Sequence, residues 1–183
     1  MEEPDPYDQT ESSPRRRPAT AQEAKALGHP LRLRILRLCR SRELTNKELA
    51  DRLDTTPGTV LYHVRKLVDA GLLAAAPVRT GSGGALEKPY RNTSQSWWLE
   101  GALRDLPADE WVAPVTAFTQ ELDEAGPDSV KTYARFHLHL NDEELAELDR
   151  RIVAVLDEYV ASDDQRRDRP AYGGAFVMHR VSE

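Results

Sequence analysis

TTPGTVLYHVRKLVDAGLL, residues 55–73, is the stretch whose reading decides the fold. Thr56 is suited to cap a helix, Pro57 to open it at the first position, and Gly71 to stop it after about Ala70. On a wheel of about 100° per residue, Val60, Val64, Leu67 and Val68 gather on one side, so this side is expected to face a core. Gly58, Tyr62, Arg65, Lys66 and Asp69 point the other way. Leu61 and His63 fall on opposite flanks, which makes His63 a half-buried residue rather than a reader of an external partner. Leu61 either widens the packing stripe or offers an apolar contact outward.

Upstream, the pattern is helical from Ala21. Ala24 and Leu27 belong to one short helix, GHP breaks it near Gly28, and Pro30 opens a second carrying Leu31, Ile35, Leu38 and Cys39 at three- and four-residue intervals. TNKELADRL follows, with Thr45 and Glu48 at capping-box spacing and Leu49, Ala50 and Leu53 on one face. Asp54 and Thr55 leave room only for a tight turn before the next helix. The order is helix, brief turn, helix.

Downstream, LLAAAPVR (72–79) reads as a strand interrupted by Pro77, GSGG (81–84) as a flexible tip, and KPYRN from Lys88 as a returning strand. Such a hairpin is a wing, flanked by Arg79, Lys88 and Arg91. GSGG lacks the Lys and Ser or Thr of a phosphate-cradling loop, so a nucleotide-hydrolase reading fails.

Charge divides the chain. The formal net charge is −6, yet residues 20–95 hold 13 Lys and Arg against 7 Asp and Glu, and residues 96–183 hold 9 against 19. A basic module suited to a polyanion is followed by an acidic one. The first 19 residues, rich in Pro, Ser and charge, are expected to be a disordered tail whose Arg15, Arg16 and Arg17 are either solvated or an arm for phosphate. One cysteine, Cys39, excludes an intramolecular disulfide and any cysteine-rich zinc site. No apolar run approaches a membrane span and no secretory pattern opens the chain, so a cytoplasmic location is expected, with no membrane partner.

ALGHPLRLRILRLC, LTNKELADRLDTTPGTVLYHVRKLVDAGLL and the Gly-rich wing together resemble a winged helix-turn-helix regulator of the ArsR type, over residues 20–95. The resemblance implies a homodimer on a palindromic operator in double-stranded DNA, with the helix 56–70 in the major groove and the wing along the backbone. By position, Gly58, Thr59, Leu61, Tyr62 and Arg65 match the family's reading segment. Thr56, Lys66, Arg79, Lys88 and Arg91 complete the candidate DNA-binding set. The helix before the reading helix has no cysteine, unlike the family's metal sensors, and Leu61 stands where many members carry Ser.

The expected fold class is therefore α+β, mostly α: a winged helix-turn-helix domain at 20–95, then a smaller helix, strand, helix, strand region at 96–183 for dimerisation or an effector. Its first helix is expected within DEWVAPVTAFTQELDEAG from Asp109, its first strand from Thr132 to Leu140, its second helix from Asn141 and Glu144, and its second strand in AFVMHRV from Ala175. Leu145, Leu148, Ile152, Val155 and Tyr159 give the second helix its stripe. His137, His139 and His179 raise a metal site, but ligand number and geometry weigh against one, and no metal or other cofactor is expected. Trp97, Trp98, Trp111, Tyr133 and Phe136 could line a small-molecule effector pocket or simply pack a core. No nucleophile, base and orienter recur in a recognisable spacing, so no catalytic residue is assigned and an enzyme ranks below both a DNA-binding regulator and a winged-helix protein-interaction module.

Overall fold

The computed structural model describes residues 16–81, 83–104, 106–107 and 110–181. It divides into two compact units, one formed by Arg17–Ala134 with the segment from Tyr172, the other by Arg135–Ala171 together with Arg16. The first is an α+β winged helix-turn-helix domain.

In the larger unit, β1 (Arg17–Pro18) leads into α1 (Ala21–Leu27), α2 (Pro30–Ser41), α3 (Asn46–Arg52) and α4 (Pro57–Asp69). Each start is dictated locally. Thr20 with Glu23, and Thr45 with Glu48, form reciprocal capping boxes for α1 and α3. Thr56 accepts from the Thr59 amide and Pro57 occupies the first turn of α4. His29 caps α2 with its ring, Nδ1 accepting from the Leu31 amide at 3.1 Å. Asp54 takes a left-handed φ of 47° in the α3–α4 turn, and Gly71 one of 70° after α4, where glycine costs least.

The wing is a hairpin in two steps. β2 (Leu73–Ala75) pairs antiparallel with β5 (Tyr90–Asn92), and β3 (Arg79–Thr80) with β4 (Leu86–Glu87). Between them, Pro77 and Pro89 lack the amide a regular ladder needs, although Ala76 still donates to the Pro89 carbonyl at 2.9 Å. Gly81 donates to Ala85 and Gly84 to Gly81, closing the tip. Ser82, part of the expected GSGG tip, lies outside the described residues. Leu44, between α2 and α3, exchanges two backbone hydrogen bonds with Tyr90 and so extends the β2–β5 pair.

One core unites these elements. Ile35, Leu36 and Cys39 from α2, Leu49 and Ala50 from α3, Val60, Val64 and Leu67 from α4, and Leu72, Leu73 and Tyr90 from the wing are all buried. Each large aliphatic side chain there contributes about 1.5–3 kcal/mol of transfer free energy. Burial pushes the Cys39 thiol up to about 12, so it acts as a small apolar residue. β6 (Leu99–Glu100), following a 3₁₀ turn at Gln95–Trp98, pairs in parallel with β1. Residues 17–19 are thus tied down by backbone pairing rather than continuing the expected tail, and Ala19 donates to the Glu100 carbonyl at 3.0 Å. The rest of that tail up to Arg15 lies outside the described residues, as does Asp109.

α5 (Ala113–Ala125) packs on α2 through Ala113 and Ala117. Arg34 pairs with Glu124, and Arg37 with Glu121 at 2.8 Å, which sets an acidic helix against a basic one. Burial raises the Glu121 carboxyl above the usual range, and the facing guanidinium of Arg37 opposes that rise.

In the other unit, α6 (Asp142–Ala161) starts at an Asn141–Glu144 capping box, as its sequence demands. It buries none of its residues. Glu147 binds Arg150 and Arg151, and Arg16 binds Asp157 at 2.6 Å.

Two expectations are corrected here. Residues 132–140 and 175–181 form no strand: both are irregular, and Phe136, Leu138, Val177 and Val181 are exposed. Alternating apolar residues favour a strand only where a neighbouring edge takes up the backbone donors and acceptors, and among the described residues no strand pairs with either segment. Val68, placed on the core side of α4, is 38 % exposed, because its flank of the helix turns towards solvent.

Candidate nucleic-acid interface

α4 presents two faces of opposite chemistry. Val60, Val64 and Leu67 have no exposed surface, whereas Gly58, Thr59, Tyr62, Arg65 and Lys66 lie on the opposite, exposed side. Tyr62 is 57 % exposed, and Lys66 holds its Nζ 5.7 Å from the ring centroid, so the tyrosine and the cation form one amphipathic patch. Thr56 and Thr59 share a hydroxyl–hydroxyl bond of 2.9 Å at the N-terminal end. Leu61 is half-buried at the margin, consistent with either role given to it. A helix bearing donors, an aromatic ring and cations on one exposed face can hydrogen-bond base edges and pair with phosphate.

His63 is more deeply placed than its flank position indicates. It is buried, its ring stacks against His29, and Tyr62 meets it edge-on at 5.1 Å between centroids. Among the described residues its Nδ1 has no hydrogen-bond partner. Burial, with His29 and Arg32 beside it, pushes its pKa down to about 4, and burial and Arg32 also lower that of His29. Arg32 is itself spent: its guanidinium donates to the Ala26 and Lys25 carbonyls at 2.6 Å, closing the C-terminal end of α1. Neutral His63 therefore supports α4 from behind. No residue type in the sequence signals this, because the covering partner, His29, lies 34 positions away.

The wing residues are less alike than their sequence suggests. Lys88 and Arg91 are exposed, with Lys88 Nζ 6.0 Å from the Tyr90 ring centroid. Arg79 is exposed but engaged: its Nη2 donates to both carboxylate oxygens of Glu48 at 2.9 Å, and its Nε to Glu87 at 3.1 Å. At the other end of α4, Gln22 donates to the Asp69 carbonyl at 2.8 Å and ties α1 to the helix C-terminus. Arg17, a candidate arm cation, pairs with Glu23 at 2.5 Å and holds that carboxyl down at about 2.

A family model described as a helix-turn-helix domain matches residues 27–74, from the end of α1 to the first wing strand. The chain carries a helix-turn-helix domain. No curated protein matches it. Among solved structures, a mutant of ZitR from Lactococcus lactis is 16% identical, with 77% of this chain and 75% of that one covered at a TM-score of 0.30. MepR from S. aureus in complex with DNA is 15% identical, with 75% and 81% covered at 0.28. A mutant of MepR from a multidrug-resistant S. aureus clinical isolate is 17% identical, with 76% and 78% covered at 0.29.

Outside the helix-turn-helix, His137 and His139 lie with ring centroids 5.1 Å apart. Among the described residues no group of three or more His, Cys, Asp or Glu side chains could hold a metal ion, and no helix is long and apolar enough to cross a membrane. Of the aromatic residues considered for an effector pocket, Trp98 is buried and Trp97 half-buried, while Trp111, Tyr133 and Phe136 are exposed.

Proposed function

We propose that the protein is a sequence-specific, DNA-binding transcription regulator of the ArsR type, acting in the cytoplasm as a homodimer on a palindromic operator. The observation that carries this reading is α4 itself, a helix anchored by Val60, Val64 and Leu67 whose exposed face holds Gly58, Thr59, Tyr62, Arg65 and Lys66. Helix 56–70 enters the major groove, Tyr62 and Arg65 contact base edges, and Lys66, Lys88 and Arg91 neutralise phosphates. A two-fold dimer places its half-sites about 34 Å apart, one helical turn, or a multiple of that. The acidic region from residue 96 serves dimerisation or effector binding, and the absence of cysteine from α3 separates the protein from soft-metal sensors that use that helix. No catalytic step is assigned.

Selection of bound fragments from random duplex DNA tests the reading. An enriched inverted repeat is the expected result, and no enrichment across a salt series overturns it. A winged-helix protein-interaction module is the second reading. It is favoured by one observation, the internal neutralisation of Arg79 by Glu48 and Glu87.

A further inference from the structure

The base of the wing carries two carboxylates around one guanidinium. Glu48, at the third position of α3, is held by the Thr45 amide at 2.7 Å, and it faces Arg79 from a neighbouring element. Glu87 stands opposite Arg79 in the β3–β4 register, and its carboxylate occupies the space that a side chain at Gly81 would need. Glu48 is therefore fixed by the local backbone, whereas Glu87 is held in place by its ion pair with Arg79. Two carboxylates, one on α3 and one on β4, against the single guanidinium of β3 leave a local negative excess at the wing that the DNA-binding reading sets against a polyanion.

We infer that Glu48 and Glu87 are internal competitors for the phosphate that Arg79 would otherwise bind, and so set the affinity and salt dependence of the wing. This rests on the DNA-binding reading above. Arg79 is 42 % exposed at its side chain, and ion pairs at such exposure are weak enough for a phosphate to displace. The guanidinium can hold carboxylate or phosphate by the same paired N–H geometry, so the two acceptors exclude one another. Hydrogen bonds of Glu48 to the Thr45 amide and hydroxyl, and the cation of Arg79, keep its carboxyl below the usual range and hence charged wherever DNA binding is measured. In this arrangement Lys88 and Arg91 supply the first backbone contacts. Arg79 joins only on a duplex that brings phosphate close enough to replace the acids, which favours a correctly docked site over a loosely held one.

The test is titration of the full chain with a labelled 30-base-pair duplex of random sequence, from 50 to 200 mM salt, for the parent, Glu87→Gln, Glu48→Gln, Arg79→Ala and the double variant Arg79→Ala with Glu87→Gln. Gln at position 48 keeps a carbonyl oxygen for the Thr45 amide, so the cap of α3 survives. Either Gln variant should bind more tightly than the parent. One more neutralised phosphate makes the slope of log affinity against log salt steeper by about 0.9, so the gain shrinks about 3.5-fold over this fourfold rise in salt. The gain should vanish in the double variant. A Gln variant that melts like the parent and binds no more tightly overturns the competition while leaving DNA binding intact. Absence of duplex binding by the parent and both Gln variants overturns the DNA-binding reading and the competition with it.

Discussion

His29 and His63 stack with ring centroids 4.4 Å apart and planes tilted by 47°, joining the N-cap of α2 to the middle of α4. One residue fixes where α2 begins and the other fixes how α4 lies against it. The pair is electrostatically one-sided: Arg32 lies beside both rings, Tyr62 offers only an edge to His63, and Glu110 is the carboxylate that acts on His29.

That contact makes stability depend on pH. The folded pKa of His63, about 4, is below its ordinary value of 6.5, so the fold favours the neutral ring. The unfolded chain binds the extra proton first, and stability falls as pH drops from 6.5 towards 4, with no contribution from this group above that window. The loss reaches at most about 3 kcal/mol by the lower end of that window. Thermal melts from neutral pH down into it should show a steeper decline for the parent than for His63→Leu. Parallel curves would remove His63 as the cause.

The start of α4 gives a stability prediction of another kind. Thr56 satisfies the Thr59 amide, so Thr56→Ala should cost about 1 kcal/mol, and Thr56→Ser should restore most of it. Denaturant midpoints at neutral pH read the difference. Equal midpoints for parent and Thr56→Ala would mean that the cap is dispensable and that any effect of Thr56 on DNA is a direct contact.

Leu67 and Val68 are adjacent in sequence and opposite in consequence. Leu67 has no exposed surface, so Leu67→Ala should destabilise by about 2–5 kcal/mol. Val68→Ala, at a 38 % exposed site, should stay within about 0.5 kcal/mol of the parent. Chemical denaturation of the two variants decides it, and comparable losses would place Val68 back in the core.

The same pair shows how far the sequence can be read. Thr56, Pro57 and Gly71 are local signals whose effect is complete within one turn of helix, and the boundaries they mark are those of α4. Val60, Val64 and Leu67 occupy the centre of the stripe, where any packing partner buries them. Val68 belongs to that stripe by periodicity but lies at its edge, and His63 lies on the opposite flank; periodicity does not say which of these margins a partner covers. His29 covers one flank, which buries His63, and leaves Val68 exposed on the other; this is a tertiary fact. Arg79 is legible as a wing cation from the hairpin pattern around it, but Glu48, 31 residues earlier, is not visible there as its partner. The alternation over 132–140 misleads for a related cause: a strand is a property of two segments, and only one of them is in the pattern.

Arg65 carries the prediction closest to function. It is exposed on the outer face of α4, one helical turn after Leu61 and next to Lys66, where a bidentate contact with a guanine edge is within the chemistry of a guanidinium. Arg65→Ala should weaken binding to the selected operator roughly 5- to 150-fold, equivalent to about 1 to 3 kcal/mol, and should relax preference at one base pair of each half-site. On random duplex the loss should be small. Fluorescence anisotropy on both duplexes at one salt concentration separates the outcomes: equal losses on the two would make Arg65 a phosphate contact and leave Tyr62 as the base reader on α4.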